Sequence, residues 1–346
     1  MGSMEGRRKE EPQLARSPIV AMLPKACSDE TAAVEFMEAR RWGDHPACPH
    51  YGSTTVYKMT SASGGRNKRF LWRCRDCEKQ YTVRIGTIME DSRIPTRHWC
   101  YAFWAACSSK KGVSSLQIMR MTGVTYKSAL FMMHRIRWAM ADSPMLAGDV
   151  EADETWVGGA PRNKGPHNKR GRGTKKQPVA VLVERDGNAR AVVVEKVDAK
   201  TLRQFISETV EPGSRIMTDE NAAYPPATEG YRHESVNHSA KQWVGPGNVH
   251  SNTAESFFAL VKRGVYGTFH AVSRKHLHRY ISEFQFRWNA RKINDGDRVE
   301  RAIQSAVGET AGVRKCQIIT RLHAEQEHTT HEGQQGKKRR ILHATH

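Results

Sequence analysis

The sequence predicts an α/β protein in which a β-rich module and a helical zone precede a mixed sheet with flanking helices. Three observations carry that prediction. Between 149 and 294, β-type runs at 150–157, 179–184 and 189–197 are followed by a helix-type segment at 200–210 and a further β-type run ending at Asp219. That order is expected when helices cover a sheet. Residues 27–93 hold four of the seven cysteines among short polar turns, and 96–141 carry apolar residues at helical spacing, such as Cys100, Phe103, Trp104 and Cys107. The chain is therefore divided into a flexible segment 1–26, a β-rich module 27–95, a helical region 96–145, an α/β domain 146–310 and a flexible basic tail 311–346.

Composition narrows the functional classes. The chain has 346 residues, 55 Lys plus Arg against 36 Asp plus Glu, a formal charge of +19 and 38% hydrophobic residues. Enough apolar material is present to bury a core, which excludes wholesale disorder. No apolar run approaches the roughly 18 residues that span a bilayer, so no membrane role is expected. An odd cysteine count without a secretion signal points to a reducing compartment, hence a cytoplasmic protein, nucleoid-associated if bacterial. The positive charge implies a polyanionic partner, most simply nucleic acid.

In the first module, Cys48-Pro-His-Tyr and Cys74-Arg-Asp-Cys77 lie 22 residues apart. Two such short segments form knuckles that present thiolates to one Zn²⁺, the pattern of a zinc ribbon. Tyr51 stands where a fourth cysteine would be, which leaves His50 or His45 to supply a nitrogen, with His50 the nearer. Cys27, Cys100, Cys107 and Cys316 lack partner spacing and read as inert thiols.

In the helical region, Ser114 and Thr125 are placed to cap two short helices separated by Gly123, a helix-turn-helix. The second helix carries Lys127, His134, Arg135 and Arg137, which suits a surface laid against DNA. Its first residues, 125–128, would be nearest the base edges. The Arg162–Lys176 stretch, with seven Lys or Arg and no apolar pattern, reads as a basic loop that grips DNA backbone.

The α/β domain concentrates the chemistry. Asp153 sits in a β-type run and Asp219 directly follows another. Carboxylates buried beside central strands are costly unless a cation neutralises them, and oxygen donors suit Mg²⁺ or Mn²⁺. Alternation puts Glu151 and Asp153 on one face of their strand and Glu154 with Trp156 on the other. On the helix expected from 251 to 263, Phe257, Leu260 and Val261 share one side, while Glu255 and Lys262 share the opposite one. Further on, Leu277, Tyr280, Ile281, Phe284 and Trp288 form a core stripe, with Arg279 and Arg287 expected to face outward.

Together, the string around Asp153 with Gly158-Gly159, the strand-end Thr218-Asp219, the Asn252-Thr253-Ala254-Glu255 to Lys262-Arg263 helix and Gly267-Thr268-Phe269-His270 resemble the zinc-ribbon DDE transposases of insertion sequences, in the ISXO2-like group. The spacings of 66 residues from Asp153 to Asp219 and 36 from Asp219 to Glu255 are similar to that group's. The resemblance covers about residues 40 to 295. It implies an RNase H-like domain in which Asp153, Asp219 and a third residue, Glu255 or Asn252, bind two divalent ions. It also implies that Lys262 contacts DNA, with Arg263 beside it. The implied activity is strand cleavage and 3′-hydroxyl transfer on double-stranded transposon ends and target DNA, by a homodimer or larger assembly. A non-catalytic DNA-binding regulator and an RNase H-like nuclease are the alternatives.

Overall fold

A computed structural model describes residues 17–158, 176–236 and 244–308. The tail after 310, and all but Lys176 of the basic stretch 162–176, lie outside the described residues. Two helices open the described chain, α1 (Pro18–Ser28) and α2 (Glu30–Trp42). The start of α1 corrects the expectation that residues up to 26 are free. Pro18 occupies a favoured first helical position, and Ile19, Leu23 and Ala26 are buried at i, i+4 and i+7. The charged residues preceding this short stripe masked it in the sequence.

The described chain forms two compact units, one of residues 37–93 and 303–308, the other of residues 17–36 and 94–302. In the smaller unit, β1 (Val56–Lys58), β2 (Trp72–Cys74) and β3 (Gln80–Tyr81) form an antiparallel sheet in sequence order. Its core is Trp72, Tyr81, Cys48 and Cys74.

The larger unit holds α3 (Thr96–Ser108), α4 (Ser115–Thr122) and α5 (Tyr126–Ala139). Both expected caps form. The Gln117 amide donates to Ser114 Oγ at 3.1 Å and the Ser128 amide to Thr125 Oγ1 at 3.2 Å. Gly123 ends α4 with φ +74°, a left-handed conformation that glycine adopts without a Cβ penalty.

The strands of this unit are β4 (Asp149–Val157), β5 (Gln177–Glu184), β6 (Ala189–Val193), β7 (Arg215–Thr218) and β8 (Arg232–Ser235). They form one sheet in the order β6-β5-β4-β7-β8. β5 runs antiparallel to both β4 and β6, whereas β7 is parallel to β4 and β8 to β7. This is the RNase H-like arrangement. Strand alternation then builds two cores. Val157, Val179, Val181 and Val183 pack against α8 (Asn252–Gly264) and α9 (Leu277–Asn289). Val150, Ala152, Ala180 and Leu182 pack against α6 (Ala199–Ser207) and α7 (Tyr224–Ala227). A last helix, α10, spans Asp295–Ser305. Among the described residues, no helix is long and apolar enough to cross a membrane.

Arg287 does not face outward. It is 9% exposed; it donates to the Glu283 carboxylate at 2.6 Å and to the carbonyls of Ala106 and Ser109. Arg137 Nε donates to the same carboxylate at 2.6 Å, and its guanidinium lies 4.1 Å from the centre of the Tyr280 ring. Two guanidiniums sharing a fully buried glutamate tie α3, α5 and α9 together. Burying either cation without that partner would be prohibitive.

Candidate active site and metal-ligating clusters

Strand β4 organises the site with three acids. Because β4 and β7 run parallel with Glu151 opposite Met217, the register carried two residues on sets Asp153 abreast of Asp219, just past the end of β7. Asp153 Oδ1 accepts the Glu154 amide at 2.7 Å, and Asp219 Oδ1 accepts the Asn221 amide at 3.0 Å. The Asp153 carboxyl is pushed up to about 8. Burial is the largest cause, the Glu154 amide works against it, and the charges of Glu154, Asp219 and Glu255 add to it. The sequence-predicted acids from β4, β7 and α8 therefore share one electrostatic neighbourhood. They are not drawn as tightly as a single-ion cage: among the described residues, no three acids have oxygens within 4.8 Å of one another.

Glu151 and Glu154, flanking Asp153, have structural duties that the sequence did not disclose. Glu151 is fully buried on Asp153's face. It accepts the backbone amides of Thr253 at 2.7 Å and Ala254 at 3.1 Å, and the Thr253 hydroxyl at 2.8 Å. A carboxylate at the start of a helix satisfies amides that have no partner within the helix, and it opposes the positive end of the helix dipole. Arg185 Nε donates to Glu151 at 2.8 Å, and His250 Nδ1 stands 3.1 Å away. Strand β4 thereby fixes the first turn of α8, which bears Asn252 and Glu255. On the opposite face, Glu154 accepts the Asn221 side-chain amide at 2.6 Å and the Tyr224 hydroxyl at 2.8 Å, fixing the turn after Asp219. Their only signal in the sequence was an acid-rich strand, Asp149-Val-Glu-Ala-Asp-Glu.

Helix α8 keeps most of the sidedness its sequence predicted, with Leu260 half-buried and Phe258 buried beside the expected stripe. Ala254, Phe257 and Val261 are buried, while Asn252, Glu255, Lys262 and Arg263 are exposed.

In the smaller unit, the sulfurs of Cys48, Cys74 and Cys77 lie within 4.8 Å of one another, with Cys48 and Cys77 3.6 Å apart. Both knuckles close alike. The Cys48 amide donates to the Ser53 carbonyl and the Cys74 amide to that of Lys79, with Gly52 (φ +78°) and Glu78 (φ +57°) in matching left-handed positions. The Cys77 amide holds the Cys74 thiol below the usual thiol range. Three thiols this close, one of them disposed to ionise, fit Zn²⁺. His50 is exposed and stands outside the cluster. Tyr51, at the position matching Cys77, is 69% exposed.

An ISXO2-like transposase domain matches residues 145–289, and a transposase zinc-ribbon domain matches residues 28–80. The chain thus carries an ISXO2-like transposase domain and a transposase zinc ribbon. A relative from Halobacterium salinarum, an uncharacterized protein in transposable element ISH50, is 29% identical over 282 residues, 77% of this chain and 93% of that protein. Two solved structures are distant likenesses. The Mos1 transposase paired-end complex with left transposon end shows 15% identity and a TM-score of 0.21, covering 51% of this chain and 72% of that one. The Mos1 strand transfer complex shows 14% identity and a TM-score of 0.21, covering 50% and 71%. Scores this low decide nothing about the chain.

Lys127 is exposed on the first turn of α5. Arg135 is not a surface cation. It is 9% exposed, with its guanidinium 4.3 Å from the centre of the Phe131 ring, and His134 and Arg137 on the same helix are buried too. The expected basic face of α5 thus shrinks to its N-terminal end.

Proposed function

We propose that the transposase binds double-stranded DNA at the terminal inverted repeats of its element, cuts a strand there and joins the freed 3′-hydroxyl to target DNA. The observation that supports this reading is the parallel register of β4 and β7, which brings Asp153 and Asp219 side by side, with burial and the charges of Glu154, Asp219 and Glu255 raising the Asp153 carboxyl. Such a group has the need for a cation that a hard-metal site satisfies. Asp153, Asp219 and Glu255 are the ligands for two Mg²⁺ or Mn²⁺ ions. Asn252, one helical turn before Glu255, is the alternative third donor. When bound, the ions would activate the attacking water or 3′-hydroxyl and stabilise the leaving oxygen.

The chain's own part is placement. Asp153 and Asp219 hold their oxygens at adjacent strand positions, and Glu151 and Glu154 keep the two neighbouring segments in register with them. Lys262 and Arg263, two turns along α8 from Glu255, neutralise phosphates near the reacting strand and contribute affinity rather than sequence reading. The α4–α5 pair presents Lys127 to DNA, and Cys48, Cys74 and Cys77 bind Zn²⁺. Two element ends must be held together, so the active assembly contains at least two chains.

The test is to incubate the full chain with Mg²⁺ and a labelled element end. Joined products are expected. Nicks without joining would make the protein a nuclease, and binding without either would make it a regulator. Asp153→Asn and Asp219→Asn should bind the end without cutting it; unchanged cutting would overturn the ligand assignment.

A further inference from the structure

The Gly267-Thr268 motif has no part in the chemistry above, yet it lines an open cleft of about 440 Å³ together with Lys110, Lys111, Ser114 and Gln117. Both lysines are exposed, and neither forms a salt bridge with a described acid. Unpaired ammonium groups beside hydroxyls and a side-chain amide offer donors in excess of acceptors, which suits an anion with several oxygens.

The loop that carries these lysines is built rather than loose. At one end, the Ser109 carbonyl accepts from Arg287; at the other, the Val113 carbonyl accepts Arg137 Nη2 at 3.3 Å. Ser109 Oγ closes the loop onto the Gly112 carbonyl at 2.8 Å. Gly112 has φ +91°, and a Cβ there would come within 2.6 Å of the Phe269 ring and 3.0 Å of Glu283. The buried glutamate and its two arginines therefore pin the loop at both ends, with Phe269 of the Gly267-Thr268-Phe269 motif wedged against its centre. Side chains on such a support lose little further backbone freedom when they bind.

The cleft adjoins the active-site helix. A Cβ on Gly264 would stand 3.0 Å from the Lys111 carbonyl oxygen, so the loop backbone touches α8 one residue beyond Arg263. Lys110, Lys111, Lys262 and Arg263 are thus four exposed cations on two chain segments in contact. Four positive charges in so small a region attract a ligand that spreads negative charge along its length.

We propose that this cleft is a second backbone grip, in which Lys110, Lys111 and Thr268 hold successive phosphodiesters of a DNA strand that continues from the active site past the end of α8. The proposal rests on the reading that the transposase acts on DNA and adds a site to it. Each lysine that neutralises a phosphate steepens the dependence of affinity on salt by about one unit of log K per unit of log salt.

The experiment measures binding of the full chain to duplex DNA by fluorescence anisotropy between low and moderate salt. It compares wild type with Lys110→Gln/Lys111→Gln, Lys110→Arg/Lys111→Arg and the single variant Lys200→Gln on α6. The double glutamine variant should lose about two units of salt slope at an unchanged melting temperature. The double arginine variant should keep the slope, and Lys200→Gln should also leave it unchanged. A slope unaltered in the double glutamine variant, or lowered equally by Lys200→Gln, would overturn the cleft assignment while leaving the active-site reading intact. Conversely, a lowered slope in a protein that never cuts DNA would keep the cleft and sink the catalytic reading. If free inorganic phosphate, matched for ionic strength, raised the wild-type melting temperature but not that of the double glutamine variant, and the DNA slopes were equal, the cleft would be a small-anion site instead.

Discussion

The Tyr224 hydroxyl donates to Glu154 Oε2 across 2.8 Å, and this bond joins the helix after β7 to the strand that bears Asp153. Burial first, and the Glu154 carboxylate second, keep the Tyr224 hydroxyl protonated. Tyr224→Phe removes this donor and keeps the Asn221 bond to Glu154. The variant should lose about 1–2 kcal/mol of stability in urea and cut DNA more slowly at unchanged DNA affinity. Wild-type cutting rates would mean that the turn after Asp219 needs no such anchor.

Asp153 gives a pH signature. Its folded value of about 8 lies above the roughly 3.9 of an unfolded aspartate. Between those limits the native state holds more protons than the unfolded one. The stability this group contributes is therefore fully present below about pH 4 and lost as pH rises through about 8. In metal-free protein, Asp153→Asn should flatten the fall in melting temperature across that window. Mg²⁺ at pH 7.5 should raise the wild-type melting temperature and leave the variant's unchanged. Parallel melting curves for the two proteins would contradict the raised value.

Glu151→Gln tests the support of α8. The variant keeps the size of the side chain but loses the charge that faces the helix amides and Arg185. Helix-end charge contributes about 0.3–1 kcal/mol at the surface and up to about 2 kcal/mol when partly buried. We expect a stability loss of about 1–3 kcal/mol, with leaving Arg185 half-paired included. Cutting should fall by about tenfold or more, with DNA binding intact. If stability fell but cutting did not, Glu151 would support the fold and not the site.

Zinc content is checked directly. The purified chain should carry one Zn²⁺, and Cys48→Ser or Cys74→Ser should lose it together with cooperative melting of the ribbon. Retention of zinc in both variants would place the metal elsewhere.

The buried ion network predicts a large effect far from the acids. Glu283→Gln strands the guanidiniums of two arginines whose side chains are 0% and 7% exposed, at a cost of about 3–5 kcal/mol by urea denaturation. A change below about 1 kcal/mol would show that solvent reaches them.

How much was legible from the sequence depended on whether a signal was local. Asp153 and Asp219 were readable because β-type runs end or alternate visibly around them, and the sidedness of α8 follows from Phe257 and Val261 alone. The duties of Glu151 and Glu154 were not readable, because their partners lie from 34 residues (Arg185) to about 100 residues (Thr253) downstream. Arg135 and Arg287 were assigned to the surface on charge. The stacking of one on Phe131 and the neutralisation of the other by Glu283 exist only once the chain is folded. The helix at Pro18–Ser28 was missed because its apolar stripe is short and its neighbours are charged.

The Glu283 knot has a consequence for how this protein would measure DNA. It fastens the second helix of the α4–α5 pair to a helix packed on the five-stranded sheet. Under the proposed function, the reader and the blade are one solid piece, like the fixed jaws of a caliper. An element end with a few base pairs inserted between its recognised sequence and its terminus should then be bound normally and cut at the wrong phosphate or not at all.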